Sequence, residues 1–117
     1  MDLTYPGFGS IVVNGDRFDH DVVVEAGAVR PRDKGPSRTH KREYGHTPLS
    51  IDEQLPWRGA RLVVGTGANG RLPIMPAVRE EAVRRGIELI AVPTDEACNL
   101  LRPVPDEDVD AVLHVTC

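Results

Sequence analysis

The chain has few aromatic residues, few cysteines and no long apolar run, and each shortage excludes a class of protein. Aromatic residues make up 4% of the 117 residues, so a core must be built mainly from Val, Leu, Ile and Ala. No apolar run approaches the roughly 20 residues that a membrane-spanning helix needs. Without a secretory signal, Cys98 and Cys117 are expected to be free thiols in a reducing cytosol. These features predict a cytoplasmic protein with no membrane partner.

The charge balance argues against nucleic acid as a partner. The chain carries 14 basic and 18 acidic side chains, for a net charge of −4. A protein of this kind lacks both the positive field that neutralises phosphates and the aromatic platforms on which bases stack. The one basic cluster, residues 30–42, is interpreted as a solvated loop.

The first half of the chain has turn-rich patterning. Residues 10–13 predict a strand, and Asn14-Gly15 predicts a type I′ hairpin turn because both positions must adopt positive φ. The return strand is expected at residues 21–25. Residues 30–48 are broken by Pro and Gly and predict a long loop, which is typical of functional or mobile segments. Ser50 and Glu53 have the spacing of a capping box and predict a short helix.

The second half alternates between strand and helix. Strands are expected at residues 61–65, 87–92 and 111–116. One helix is expected from near Pro76 to Gly86, with an apolar stripe that includes Val78 and Val83, and another from Thr94 as its cap to about Leu101. The pattern predicts a single layered α/β domain over residues 1–117. An N-terminal β-hairpin unit would precede a βαβαβ half with a central sheet.

Residues 65–70 match the G-x-G-x-x-G pattern of dinucleotide-binding proteins. Pro73 and Pro76 follow, however, and each disfavours the α conformation in the residue before it, so no helix can begin at Gly70. The acidic residue expected about twenty positions later is missing from the end of the next strand. We therefore predict no nucleotide cofactor.

Several segments in combination resemble the adipogenesis-associated Mth-domain family. They are residues 62–67 (LVVGTG), 86–90 (GIELI), 93–97 (PTDEA) with Asn99, and 109–117 ending in HVTC, together with Gly45-His46. The resemblance covers most of the chain from Gly9 onward. It implies a three-layer α/β fold around a mixed sheet. The relatives include a mitochondrial complex I assembly factor, and no enzymatic activity is established for the family as a class.

A candidate ligand site lies where the strands end, because ligands of open α/β sheets collect outside the carboxyl ends of the strands. The candidate residues there are Thr66, Gly67, Asn69, Arg71, Thr94, Asp95 and Asn99. Helix N-termini would favour an anion, with Arg71 as its counter-charge. The structural alternative is that the glycines make a tight turn and that Thr94 only caps a helix. A mixed sheet also leaves the direction of the last strand, and so the place of Cys117, open.

The remaining reactive side chains give little support to catalysis. Cys98 is interpreted as a small core residue and His114 as a hydrogen-bonded partner within its strand. His20, His40 and His46 show no metal-binding spacing, so no metal is predicted. No Ser-His-Asp set can be assembled from sequence positions. The leading hypothesis is therefore a noncatalytic binding or assembly module with a protein partner. The alternative is a small-molecule or anion-binding protein, possibly an enzyme, that uses the loop of residues 65–69.

Overall fold

Eight strands and three α-helices follow one another in a computed structural model that describes all 117 residues. The strands are β1 (Leu3–Gly7), β2 (Ser10–Val13), β3 (Asp16–Phe18), β4 (Val22–Glu25), β5 (Ala28–Pro31), β6 (Arg61–Thr66), β7 (Glu88–Val92) and β8 (Asp110–His114). The α-helices are α1 (Lys41–Tyr44), α2 (Pro76–Arg84) and α3 (Thr94–Leu101), and short 3₁₀ helices span Gly35–His40 and Asp106–Asp108. The mixed α/β fold expected from the sequence is confirmed.

The strands form two sheets. A small antiparallel sheet has the order β1-β2-β3, and the central sheet has the order β5-β4-β8-β6-β7. In the central sheet β6 runs parallel to β7 and to β8, whereas β4 runs antiparallel to β8 and to β5. The central sheet is therefore mixed, and its three parallel strands end at the same edge.

The central sheet is covered on both faces, because its strands alternate apolar side chains between two cores. On one face Val22, Val24 and Val63 pack in a cluster that includes residues of β1, β2 and α3. On the other face Val23 and Val64 pack with α2 and the segment of residues 49–57. Since successive strand residues point to opposite faces, a run such as Val22-Val23-Val24 is buried throughout. The result is three layers.

The hairpin turn was predicted correctly, but its return strand was not. Asn14 and Gly15 have φ of 50° and 87°, as a type I′ turn requires. A two-residue turn brings the next residues into register, so Val13 faces Asp16 and the return strand is β3. Val22–Glu25, which was expected in that position, instead enters the central sheet between β5 and β8.

Residues 30–48 are more ordered than the loop that the sequence predicts. The segment begins with the end of β5 and continues through a 3₁₀ helix into α1. Arg32 is buried and not solvated, because two carboxylates pair with it. Ser50 and Glu53 begin a turn and no helix. The Glu53 carboxylate accepts from the Ser50 amide at 3.4 Å, as in a capping box, and is also bound by the Arg32 guanidinium.

The two long helices lie where the sequence predicts them. Helix α2 begins at Pro76 and is followed by Gly86 in the left-handed region, with φ of 68°. Val78 is buried, but Val83 is 80% exposed and lies outside the expected apolar stripe. The predicted apolar stripe of α2 was too wide, because the helix packs against the sheet along a narrower face.

Candidate functional site

The carboxyl ends of β6, β7 and β8 converge at one edge of the central sheet, which settles the direction of the last strand. Thr66 at the end of β6 lies opposite His114 at the end of β8. The segment after β8, with Thr116 and Cys117, therefore runs beside the loop that follows β6. The sequence left this arrangement open.

The loop of residues 67–71 uses its backbone amides internally. The amide of Ala68 donates to the Thr116 carbonyl at 2.7 Å, and the amides of Asn69 and Arg71 both donate to the Cys117 carbonyl at 3.1 Å. Gly67 has φ of 103° and lies so close to Cys117 that an added Cβ would overlap its backbone carbonyl. These amides anchor the final segment of the chain, so side chains must supply the binding groups at this edge.

Thr94 joins the three strand ends and does not act as a helix cap. It is the first residue of α3, and its side chain makes no capping hydrogen bond. Its hydroxyl accepts a hydrogen bond from the Gly67 amide at 2.8 Å and donates one to the His114 carbonyl at 2.6 Å. Gly65 permits this packing, since a Cβ there would lie 2.9 Å from the Thr94 hydroxyl.

The candidate residues on α3 lie apart from the cavity described next. Asp95 and Asn99 are exposed, and neither lines a cavity. The Asp95 carboxylate accepts from the Glu96 amide, and the Asn99 side chain accepts from Arg102. Cys98 is buried in the core, and its burial raises the pKa of its thiol to about 11. It is thus protonated and packed as a small apolar residue.

A cavity of about 170 Å³ opens between the strand ends and residues 32–47. A cavity of about 150 Å³ can hold a molecule the size of benzene, so this one has room for one ring-sized group, and its open side can admit a larger molecule in part. The lining is mostly basic: Arg32, Lys34, Lys41, His46, Thr47, Arg71, Leu72, His114, Thr116 and Cys117. Of the residues predicted for a ligand site, only Arg71 lines it.

Three of the cations in this lining have no partner within the protein. Lys34, Lys41 and Arg71 take part in none of the ion pairs. Five arginines elsewhere in the chain also form no ion pair: Arg38, Arg42, Arg61, Arg79 and Arg102. The cavity differs in placing three such cations around one concave region, where the field is focused.

A buried ion cluster forms the floor of the cavity. The Arg32 side chain is 1% exposed and binds the Glu53 carboxylate through Nε at 2.8 Å and Nη2 at 2.9 Å. Its Nη1 donates to Asp21 Oδ2 at 2.9 Å, and its Nη2 also donates to the Pro48 carbonyl. Such a forked arrangement fixes the guanidinium in one orientation. The cluster thereby ties residues 32–53 to the central sheet.

Asp21 connects this cluster to His114. Its Oδ2 also accepts from His114 Nδ1 at 2.8 Å, and its Oδ1 accepts from the Val115 amide at 2.9 Å. Burial alone would raise the pKa of Asp21. The His114 hydrogen bond and charge, the Val115 amide and Arg32 outweigh it and lower the pKa to about 2. Asp21 is therefore ionised at neutral pH.

Sequence reasoning missed Asp21, Arg32 and Glu53 as members of the site. They are separated by 11 to 32 positions from one another, and Asp21 lies 93 positions from His114. No local pattern marks such pairs. The one available signal was the long segment of residues 30–48, which was identified as functional or mobile but not as the wall of a cavity.

No group of three or more His, Cys, Asp or Glu side chains is placed to hold a metal ion. No helix has the length and apolar character required to cross a membrane. Neither Cys98 nor Cys117 forms a disulfide, as expected from the sequence.

The fold and the sequence together define a family. Residues 3–107 match the family described as protein of unknown function (DUF498/DUF598). The chain belongs to this family. No curated protein is significantly similar to it.

Solved structures support the same relationship. The chain is similar to the conserved hypothetical protein PH1505 from Pyrococcus horikoshii OT3, with 28% identity, full coverage of both chains and a TM-score of 0.76. A structure titled MT938 is 25% identical over 98% of this chain and 97% of its own, with a TM-score of 0.68. The Xanthomonas campestris protein XCC1710 is 14% identical over 98% of this chain and 86% of its own. Its TM-score of 0.62 indicates a shared fold.

Proposed function

We propose that this protein binds a small anionic molecule, a phosphate or carboxylate compound, in the basic cavity at the strand ends. The observation that carries the proposal is the set of three unpaired cations, Lys34, Lys41 and Arg71, around one small cavity. A bound anion would provide the counter-charge that these side chains lack within the protein. Arg71 supplies a guanidinium fork that suits phosphate or carboxylate oxygens.

Two more features support an anion over a neutral ligand. The Asp21 and Glu53 carboxylates, which contact the lining residues Arg32 and His114, are buried and already bound by them. The Thr47 hydroxyl lies in the lining and can donate to a ligand oxygen. The site therefore offers donors on several sides and no free carboxylate side chain to repel the ligand.

The alternative function is a noncatalytic assembly role with a protein partner. It rests only on the sequence resemblance to the adipogenesis-associated Mth-domain family. Protein-docking faces are usually contiguous apolar patches. The large exposed apolar side chains are Phe8, Ile51, Val83 and Leu100, and these lie on four separate segments of the chain. The grouped unpaired cations of the cavity are the more specific observation, and they favour a small anion over a protein partner.

The proposal predicts that inorganic phosphate stabilises the protein through Arg71. A thermal-shift titration of the wild-type protein should give a saturable rise in melting temperature. Arg71→Met should weaken the apparent affinity about tenfold, because it removes a charged hydrogen-bonding partner from the anion. Lys41→Met should act in the same direction.

Arg79→Met is the matched control for charge. Arg79 is exposed on α2, forms no ion pair and does not line the cavity. The control should bind phosphate as the wild-type protein does. Equal losses in the Arg71 and Arg79 variants would indicate only a general charge effect, and they would contradict the proposed site.

A further inference from the structure

Three side chains form a hydrogen-bonded chain from the buried ion cluster to the cavity. Asp21 lies directly before β4, His114 ends β8, and Thr116 follows two residues later. His114 Nδ1 lies 2.8 Å from Asp21 Oδ2, and His114 Nε2 lies 3.2 Å from Thr116 Oγ1. The His114 side chain is 13% exposed, and both His114 and Thr116 line the cavity. A carboxylate, an imidazole and a hydroxyl follow one another in the same order in base-activated nucleophiles.

The surroundings fix the orientation and the tautomer of the imidazole. An ionised carboxylate can only accept hydrogen bonds, so His114 Nδ1 carries the proton that is donated to Asp21. In the neutral ring Nε2 is then an acceptor, and the Thr116 hydroxyl is its donor. Asp21 is itself held by Arg32 Nη1 and by the Val115 amide. The three groups are therefore aligned before any ligand enters.

The buried cluster and the cavity lining carry charge of opposite sign. Arg32 carries one positive charge against the two negative charges of Asp21 and Glu53, so the buried cluster has a net charge of −1 beside His114. Lys34, Lys41 and Arg71 in the lining would stabilise negative charge on a reacting oxygen.

We infer that Thr116 is a nucleophile, with His114 as its general base and Asp21 as a positioning residue, and that the cavity hydrolyses esters of small anionic molecules. This inference rests on the proposed function, because the unpaired cations are what would admit an anionic ester. It adds a reaction that binding alone does not require.

The reaction is a two-step acyl transfer. Thr116 Oγ attacks the ester carbonyl carbon while its proton passes to His114 Nε2. The bond from the carbonyl carbon to the alcohol oxygen then breaks, and the alcohol leaves with that proton. Water attacks the resulting threonyl ester and gives its proton to His114, which returns it to Thr116 as the acid is released. No oxidant, reductant or metal is needed.

The test compares two chromogenic esters that differ by one negative charge: 5-acetoxy-2-nitrobenzoate and neutral 4-nitrophenyl acetate. The wild-type protein should transfer an acetyl group to Thr116, detected by peptide mass spectrometry, and should react faster with the anionic ester. Thr116→Ser keeps a hydroxyl, so it should still be acetylated at position 116 and should retain part of the activity. Thr116→Val and His114→Ala should lose it about 100-fold, the usual scale for a general base. Added imidazole should restore His114→Ala, a result that a purely structural histidine would not give.

A test of Asp21 uses Asp21→Asn, which offers His114 the wrong hydrogen-bonding partner. The rate should fall even at temperatures where circular dichroism shows the variant to be folded, and Asp21→Glu should recover part of it.

Three results would overturn the inference in distinguishable ways. Acetyl groups on Cys117 or on the lysines alone, with Thr116 unmodified, would exclude the nucleophile. Equal rates for the two esters would exclude the anionic substrate class. If phosphate binds the wild-type protein but neither ester acetylates Thr116, the catalytic inference fails and the binding proposal stands.

Discussion

At the scale of single residues, Gly67 has the least freedom to change. Its φ of 103° disfavours any side chain, and a Cβ would collide with the backbone of Cys117. We predict that Gly67→Val lowers the free energy of unfolding by about 3 kcal/mol or more, since strain and overlap add together. Chemical denaturation of the purified variant measures this.

Gly70→Ala is the control for that prediction. Gly70 also has a positive φ, 67°, but an added Cβ would meet only ordinary contacts at 3.6 and 3.7 Å. It should cost about 1 kcal/mol from backbone strain alone. Equal effects of the two substitutions would show that the close approach of Cys117 is not important.

Asp21 should make the protein sensitive to acid. Its pKa is about 2 in the folded protein and 3.8 ordinarily. Because the folded pKa is the lower one, its stabilising contribution is complete above about pH 4 and is lost as the pH falls through 2. At about 1.4 kcal/mol for each pH unit, the contribution is ~2 kcal/mol. Asp21→Asn should lower stability at pH 7 and should flatten the decline between pH 5 and 2.

A second carboxylate provides a comparison for that measurement. Glu81, bound by Arg84 and Arg85 on the surface of α2, also has its pKa lowered to about 2. Surface pairs are screened by salt, whereas buried pairs are screened much less. In 1 M NaCl the acid dependence due to Glu81 should vanish and that due to Asp21 should persist. If high salt removed the whole dependence, the buried cluster would not be its source.

At the scale of elements, the sequence predicted features with local causes. The Asn14-Gly15 turn, helices α2 and α3 and strand β6 are encoded by residues a few positions apart, and all are present. The partner of β4 depends on contacts with β8 almost ninety residues away, so the pattern Val22–Glu25 predicted a strand but not its sheet.

The loop between β6 and α2 is where the G-x-G-x-x-G pattern would bind a dinucleotide. Its amides at Ala68, Asn69 and Arg71 already donate to backbone carbonyls of the chain. A pyrophosphate could bind these amides only if it displaced those carbonyls. We predict that NAD and NADP produce no saturable rise in melting temperature. The measurement would detect binding, because a ligand at a hundredfold over its dissociation constant adds about 2.7 kcal/mol to the free energy of unfolding. A saturable shift with either dinucleotide would contradict this reading of the loop.

The cavity is another feature that sequence could suggest only in part. Arg71 was identified from its place after the strand end. In the opposing wall, Lys34 and Lys41 come from the basic cluster that was interpreted as a solvated loop, and His46 comes from the longer segment that was interpreted as functional or mobile. Its position depends on Arg32, whose buried pairing with Asp21 and Glu53 has no signature in local sequence.

At the scale of the whole molecule, the distribution of charge matters more than its sum. The net charge of −4 would repel an anion from most of the surface, yet the cavity combines three unpaired cations. Focused positive charge in a concave site can attract anions even to an acidic protein. The central claim is therefore that residues 34–47 and the strand ends form a single anion site.

Amide chemical shifts during a phosphate titration of ¹⁵N-labelled protein test that claim most directly. The amides of Lys34, His46, Arg71 and Thr116 should shift together and fit one dissociation constant, while those of the β2-β3 hairpin stay unchanged. Shifts confined to residues 30–42, with Arg71 and Thr116 silent, would contradict the account.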